Sequence, residues 1–384
     1  MTPRILLATQ DFPPVEGGMA RYYADLARGF PAGSFLVSTT REEGTAAAPP
    51  DDVPVRREPF PLSRAHRLTS LLRWQRDLDL WMKVEKPDVL LCGNLRPLGP
   101  VCVRLARKRG VPCHVIVHGN DLLAARRRWS GLRSSTWNTV FGGVERWIAN
   151  SEAIRRIGVD RLGLPEARSA VVHPEVDTDH IRPASEGEKA ALRSSLGIAS
   201  DECVIVFVGR LVTRKGLDRL IEALANDPPA RPWRLVVAGY GDPSAYREMA
   251  EKGGIAQRVM FRGGVSDAEL LRILRMADVA AMPSRTIPDR DDIEGFGIVY
   301  LEAAAAGIPV VAGDSGGVVE AVEHGVTGFV ISGDDSPAIR AALDKLLGNP
   351  GLARSMGRAA RDRAVARFGP GSSALRLREI LGEE

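Results

Sequence analysis

The sequence predicts an α/β protein built from two doubly wound domains facing a cleft. Three observations predict it. The chain has 384 residues, and single hydrophobic cores stop growing near about 250–300 residues, so two domains are expected. Short apolar runs alternate with longer segments that are apolar at helical spacing, the punctuation of βαβ units around a mostly parallel sheet. That alternation restarts once, after "VVHPEVDTDHIRP" at 171–183.

In the first half, strands are expected at "RILLAT" (4–9), "GSFLVST" (33–39), "PDVLLCG" (87–93), "CHVIVHG" (113–119) and "RWIANS" (146–151). Their Val, Ile and Leu content suits strands buried on both faces. Between them "MARYYADLARGF" (19–30) and "LGPVCVRLARKRG" (98–110) repeat apolar residues at helical spacing and close with Gly or Pro. The polar segment near 174–200, with Pro174 and Pro183, reads as a linker. In the second half, strands are expected at 203–209, 234–239, 258–264, 278–284, 309–314 and 327–332, with helices at 216–226, 267–277 and 297–307. The last segment reads as a helix to about Phe368, a break at Gly369 and Pro370, and a short helix able to cross back to the first domain.

Hydrophobic residues make up 44% and charged residues 26%, as in soluble globular proteins. The opening "MTPRILLATQDFPP" has too short an apolar core for a signal peptide, and no run reaches the roughly 20 apolar residues of a membrane span, so a cytoplasmic protein is expected. Cys92, Cys102, Cys113 and Cys203 lack metal-site spacing and read as reduced core residues. Residues 1–180 hold 26 of the 52 Lys and Arg and 20 of the 48 acids, a balance of +6 against −2 for the remainder. The basic charge concentrates at 56–76 and 122–137, where Arg is mixed with Trp and Leu. That mixture suits peripheral contact with an anionic membrane. Solvated helix faces with core aromatics account for it equally well. No nucleic-acid motif accompanies the charge, so no nucleic-acid partner is expected.

Three loops carry candidate chemistry. Gly17 and Gly18 precede the first helix, where paired glycines either let an anion approach backbone N–H groups or simply make a tight turn. After the strand ending at Gly209, Arg210 and Lys215 flank a short loop before Gly216. Cations are the wrong sign for a helix start unless an anion lies between them, and the pair suits a diphosphate. In "EGFGIVYLE", Glu294 and Glu302 stand eight residues apart around a helix start near Gly297. That is roughly 12 Å of helix rise, beyond the roughly 5–9.5 Å between glycosidase carboxylates. The two suit opposite ends of one long ligand, each accepting from paired hydroxyls.

These stretches together, with "VHGND" (117–121), "IANSEAIRR" (148–156) and "GIPVVAGDSGGVVEAVEHGVTGFV" (307–330), resemble the retaining glycosyltransferases of family 4 over nearly the whole chain. "GIVYLEA" is most similar to bacterial mannosyltransferases acting on phosphatidylinositol mannosides and related lipids. The resemblance implies the GT-B fold, two Rossmann-like domains with the C-terminal helix crossing back. An acceptor-binding domain would span 1–178 plus about 366–384, and a nucleotide-sugar-binding domain 179–365.

It implies a hexosyltransferase that retains the α configuration and needs no metal or other cofactor. The donor would be a nucleotide diphosphate sugar, GDP-mannose as first choice or a UDP-sugar, and the acceptor a lipid-linked or glycan hydroxyl. Residue by residue, Glu294 would hold the donor sugar, helped by backbone groups of Gly295, Phe296 and Gly297, and Glu302 the ribose. Arg210 and Lys215 would stabilise the leaving diphosphate. Gly18, beside Gly17, would admit the phosphates, and His118 would face the donor sugar near the reacting carbon. Gly209, Gly239, Gly264, Val265 and Ile298 complete the implied donor-binding set. Two departures stand out: Glu175 in "HPEVD" replaces a small residue usual at the hinge, and "DRD" (289–291) has the form of a metal motif from another fold but sits in a polar loop. A glycan phosphorylase or hydrolase of the same architecture, or a nucleotide-sugar-binding protein without turnover, are the alternatives. A phosphorylase of this fold would use pyridoxal phosphate on a lysine, for which no candidate stands out.

Overall fold

The apolar runs become strands because a parallel sheet covered by helices on both faces needs residues that are apolar throughout. The computed structural model describes residues 2–15, 17–40, 52–58, 67–131 and 134–382. It divides into unit 1, Met1–Glu175 with Pro370–Glu384, and unit 2, Val176–Gly369. The expected boundaries were 178/179 and about 366.

Unit 1 runs β1 (Ile5–Ala8), α1 (Gly18–Arg28), β2 (Phe35–Thr40), β3 (Val55–Glu58), α2 (Arg67–Glu85), β4 (Val89–Cys92), α3 (Leu95–Arg109), β5 (Cys113–Val117), α4 (Asn120–Arg128), α5 (Ser134–Gly143), β6 (Arg146–Ala149), α6 (Glu152–Arg156) and β7 (Ser169–Val171). All strand pairs are parallel, in the order β3-β2-β1-β4-β5-β6-β7. Unit 2 runs α7 (Glu186–Ser194), β8 (Cys203–Val208), α8 (Leu217–Asn226), β9 (Trp233–Ala238), α9 (Ser244–Lys252), β10 (Val259–Gly263), α10 (Asp267–Met276), β11 (Val279–Met282), α11 (Ile298–Ala305), β12 (Val310–Gly313), α12 (Val318–Ala321), β13 (Gly328–Ile331), α13 (Ser336–Leu347) and α14 (Pro350–Phe368). Its sheet is also parallel, β10-β9-β8-β11-β12-β13. The last helix, α15 (Ser372–Ile380), belongs to unit 1 and packs on α1.

In both sheets the order reverses beside the first strand, between β1 and β4 and between β8 and β11. Loops leaving the carboxyl ends of those strands diverge to opposite faces and open a crevice, where doubly wound sheets bind ligands. α11 is apolar nearly all round, with Tyr300, Leu301 and Ala303 buried, because it is covered by α14 as well as the sheet.

Several expectations are corrected. The supposed linker contains α7, which starts with a reciprocal capping box between Ser185 and Glu188. The strands β3 and β7 were not expected; they are the two edges of the unit 1 sheet, one of them the charged run "VRRE". The tryptophans of the basic stretches are core residues: Trp74, Trp129 and Trp137 are all buried. Residues 59–66 and 132–133 of those stretches lie outside the described residues. What α2 does expose is a stripe of Leu72, Leu80 and Val84, at 55%, 52% and 66%, alongside exposed Arg73, Arg76 and Lys83. The four cysteines are buried free thiols. Among the described residues no helix is long and apolar enough to cross a membrane.

Candidate active site

In unit 2, β8 delivers Gly209 and an exposed Arg210 to its carboxyl end, and a 3-10 turn at Thr213–Lys215 leads through Gly216 into α8. On the other side of the reversal, the chain after β11 returns Glu294 to the same place. Lys215 Nζ lies 2.7 Å from Glu294 Oε2. The buried Arg214 binds the same oxygen through Nη1, and its Nε donates to Asp292 Oδ1 at 2.8 Å. Burial pushes the Glu294 carboxyl up, but Lys215 and Arg214 more than offset this, and Arg210 adds to them, so the group is held below the usual carboxylate range. It is therefore an anion, able to accept hydrogen bonds from hydroxyl groups.

The loop is held from both sides. The Glu294 N–H donates to Ser315 Oγ at 3.2 Å and its carbonyl accepts from Gly317 N–H at 3.1 Å. Arg285 N–H donates to the Arg214 carbonyl at 2.8 Å, while the Arg285 guanidinium grips Asp218 of α8 at 3.0 and 2.6 Å. Gly297 starts α11 at φ 89°, and a Cβ there would fall 2.4 Å from the Tyr300 ring, so no other residue fits without displacing the helix start. Tyr300 is fixed in turn by donating to the Met282 carbonyl at 2.8 Å. Phe296 turns inward against Phe368, leaving its backbone as the part able to meet a ligand. Gly295 and Ile298 flank it, and Glu302 lies in α11 at 4% exposure. Gly239 N–H donates to Gly263, tying together the ends of β9 and β10, beyond which lie Gly264 and Val265.

Unit 1 presents a second cluster at the ends of β1, β4 and β5. Gly17 caps α1 and, with Gly18, is exposed. Asn94 ties two loops together: its Nδ2 donates to Asp11 Oδ2 at 2.6 Å, and its Oδ1 accepts from Gln10 N–H at 2.6 Å and Thr9 Oγ1 at 2.9 Å. His118 follows β5, and its backbone N–H donates to Asp121 Oδ1 at 2.8 Å. Its ring meets Tyr22 and Tyr23 edge-on, at 5.1 and 5.4 Å between centroids. Tyr23 donates to the Gly93 carbonyl at 2.6 Å and lies 2.8 Å from His118 Nε2. With the one phenolic proton committed to a carbonyl, the network assigns the imidazole proton to Nε2 and leaves Nδ1 as an acceptor. Burial lowers the His118 pKa to about 4, so the ring is neutral near pH 7. Burial raises Asp121 to about 6, partly offset by the backbone N–H groups of His118 and Leu122.

Arg210, Lys215 and Glu294 thus converge in unit 2, with one difference from the sequence expectation: Lys215 is already paired with Glu294, leaving Arg210 as the exposed cation. Sequence reasoning missed Arg214, Asp292 and Ser315 in unit 2, and Asp11, Tyr23, Asn94 and Asp121 in unit 1. The signal that could have found Asp11 and Asn94 is their position just past β1 and β4, at the reversal of strand order. The "DRD" run lies on a 3-10 turn, Pro288–Arg290, and the neighbouring Asp292 is the carboxylate that holds Arg214.

Residues 16–180 match the family described as Glycosyltransferase Family 4, and residues 188–363 match Glycosyl transferases group 1. A GDP-mannose-dependent alpha-(1-6)-phosphatidylinositol monomannoside mannosyltransferase of Mycolicibacterium smegmatis is 33% identical, covering 98% of this chain and 98% of its own. The chain belongs to glycosyltransferase family 4. A second member, the GDP-mannose-dependent monoacylated alpha-(1-6)-phosphatidylinositol monomannoside mannosyltransferase of Corynebacterium glutamicum, is 31% identical over 99% of this chain and 98% of its own. Anabaena HepE, solved with UDP and glucose, superposes with a TM-score of 0.81 at 22% identity, each chain covered completely, which shows the shared GT-B fold. The protein is a nucleotide-sugar glycosyltransferase, and its two sheets are the two Rossmann-like domains of that fold.

Proposed function

We propose that this glycosyltransferase moves mannose from GDP-mannose to a hydroxyl of a phosphatidylinositol-mannoside-like lipid, retaining the α configuration and using no metal. What supports the donor and acceptor is that likeness to the two mannosyltransferases runs through both units, at 31% and 33% identity. The observation that carries the chemistry is the convergence of Lys215, Glu294 and Arg210 at the strand-order reversal of unit 2. Glu294 accepts hydrogen bonds from the sugar hydroxyls, and Glu302 from the ribose. Arg210 and Lys215 neutralise charge that grows on the departing diphosphate, the role a metal would otherwise fill. His118 Nδ1 accepts a hydrogen bond from a sugar hydroxyl. The sugar–phosphate bond breaks as the acceptor oxygen attacks from the same face, and the acceptor proton passes to the β-phosphate.

The exposed stripe of α2 adds a membrane contact: three apolar side chains interspersed with three cations suit an anionic lipid surface, on the cytoplasmic side. The test incubates the protein with GDP-mannose or UDP-glucose and a phosphatidylinositol mannoside, in EDTA, and follows nucleotide release and lipid mass. The expected result is GDP release matched by one added hexose in α linkage. Cleavage of a glycan with no nucleotide released favours a glycan phosphorylase or hydrolase, and tight donor binding without turnover on any lipid or glycan favours a binding protein. A sugar trapped covalently on His118 or on a carboxylate excludes the same-face route.

A further inference from the structure

Among the described Phe, Trp and Tyr side chains, Tyr240 is the one that is exposed, at 52%. It follows β9, between Gly239 and Gly241. Its carbonyl accepts from Leu211 N–H at 2.8 Å, which fixes it beside the residue after Arg210. On the outer side its ring lies against Gly264, where a Cβ would fall 2.0 Å from Cε1, so any side chain at 264 would push the ring away. The ring therefore stands one strand outward from the cations at the end of β8, bordered by the loop after β10. Neighbouring strands are about 4.8 Å apart, so Arg210, Tyr240 and Gly264 lie in a row about two strand spacings long. A nucleoside diphosphate spans a similar reach from phosphate through ribose to base.

We infer that the Tyr240 ring is the stacking surface for the nucleobase of the donor, and that Gly264 lacks a side chain so that the ring can lie against the loop after β10. This rests on the assignment of Arg210 and Lys215 to the diphosphate. The face of the ring gives a base a π-surface to cover, whereas only the phenolic hydroxyl can bond a phosphate or a ribose, a contribution that Tyr240→Phe removes. Stacking tolerates either base class, with the larger overlap for a purine.

The test is calorimetric titration of the full chain with GDP, UDP and inorganic pyrophosphate, using the wild type, Tyr240→Ala, Tyr240→Phe and Arg210→Ala. Tyr240→Ala is expected to weaken GDP about tenfold, equivalent to ~1.4 kcal/mol, to weaken UDP less, and to leave pyrophosphate unchanged. Tyr240→Phe, which keeps the ring, is expected to stay within about twofold of wild type for all three. Equal losses for GDP and pyrophosphate in Tyr240→Ala would indicate general damage to the loop and overturn the stacking role, as would unchanged GDP affinity. The parent assignment is read separately: Arg210→Ala should weaken pyrophosphate and GDP together, and if it weakens neither, the diphosphate assignment falls and takes the stacking role with it.

Discussion

Glu294 holds its charge between two cations from one short turn, and the two are not equivalent. Arg214 is buried and also carries Asp292, so removing it leaves two carboxylates short of a partner. Breaking a buried pair in this way typically costs about 3–5 kcal/mol. Arg214→Met should therefore lower unfolding stability by about 3 kcal/mol in urea titrations as well as slow turnover. Arg210, exposed and outside that pair, should lose turnover without losing stability when changed to Ala; full activity in Arg210→Ala would refute its assignment to the phosphates. Arg214 was not legible in "VTRKG", because a sequence lists Arg214 and Lys215 as adjacent cations and cannot say which faces a buried carboxylate 80 positions on. The buried imidazoles make a separate prediction. Burial lowers both His114 and His118 to about 4, from an ordinary value of 6.5. Between those values the unfolded chain binds protons that the folded protein refuses, so their contribution is fully present above pH 6.5 and is lost as pH falls toward 4, by up to about 3 kcal/mol each. Asp121, raised to about 6 from 3.8, acts with the opposite sign in the lower part of that range. Denaturation midpoints measured from pH 7 to 4.5 should fall, and His118→Asn should flatten the curve; an equally steep curve would place the lost proton elsewhere.

The buried strands of both sheets were readable as elements because they are mostly apolar runs of four to six residues, several of them closed by Gly or Pro, as β8, β9 and β11 are. The edges of the unit 1 sheet were not: β3 meets solvent on one side and carries charge, so no apolar run marks it. Glu175 shows the same limit in a loop. The sequence showed only an unusual residue at an expected hinge, while the structure uses it to hold α15. Its carboxylate accepts from the N–H groups of Gly371 and Ser373, at 3.1 and 3.0 Å, and from the Ser373 hydroxyl. Those N–H groups have no partner within their own helix, and a negative charge suits that end of it. Glu175→Ala should lower stability by about 2–4 kcal/mol and raise amide exchange across residues 372–380. Glu175→Gln, which keeps an acceptor but not the charge, should do about half as much. Unchanged exchange in Glu175→Ala would mean that α15 is held by its packing on α1 alone.

At the scale of the molecule, charge and apolar exposure coincide. Residues 1–180 carry a balance of +6 against −2 for the remainder, and α2 of unit 1 exposes Leu72, Leu80 and Val84 beside its cations. Screening over about 8 Å at physiological salt leaves such attraction short-ranged. Binding to vesicles rich in anionic lipid should be strong at low ionic strength and fall steeply with added salt, and Leu72→Ser with Leu80→Ser should weaken it several-fold. Absence of binding at low salt would leave the stripe as ordinary solvated surface. The two-domain plan was legible from chain length and the restart of the strand pattern near 203, and the partition of α15 to unit 1 was expected from the break at Gly369 and Pro370 and from the family resemblance, whereas the contacts that hold it there were not legible. That partition has a consequence in time. Residues 176–369 of unit 2 form one continuous stretch, but unit 1 is interrupted by them. As the chain emerges during synthesis, unit 2 has all its residues before 370–382 exist, and the acceptor for α15, Glu175, waits nearly 200 residues for its partner. Unit 1, begun first, is the last to be finished, and a nascent chain stalled before residue 370 would hold a complete second unit beside an unfinished first one.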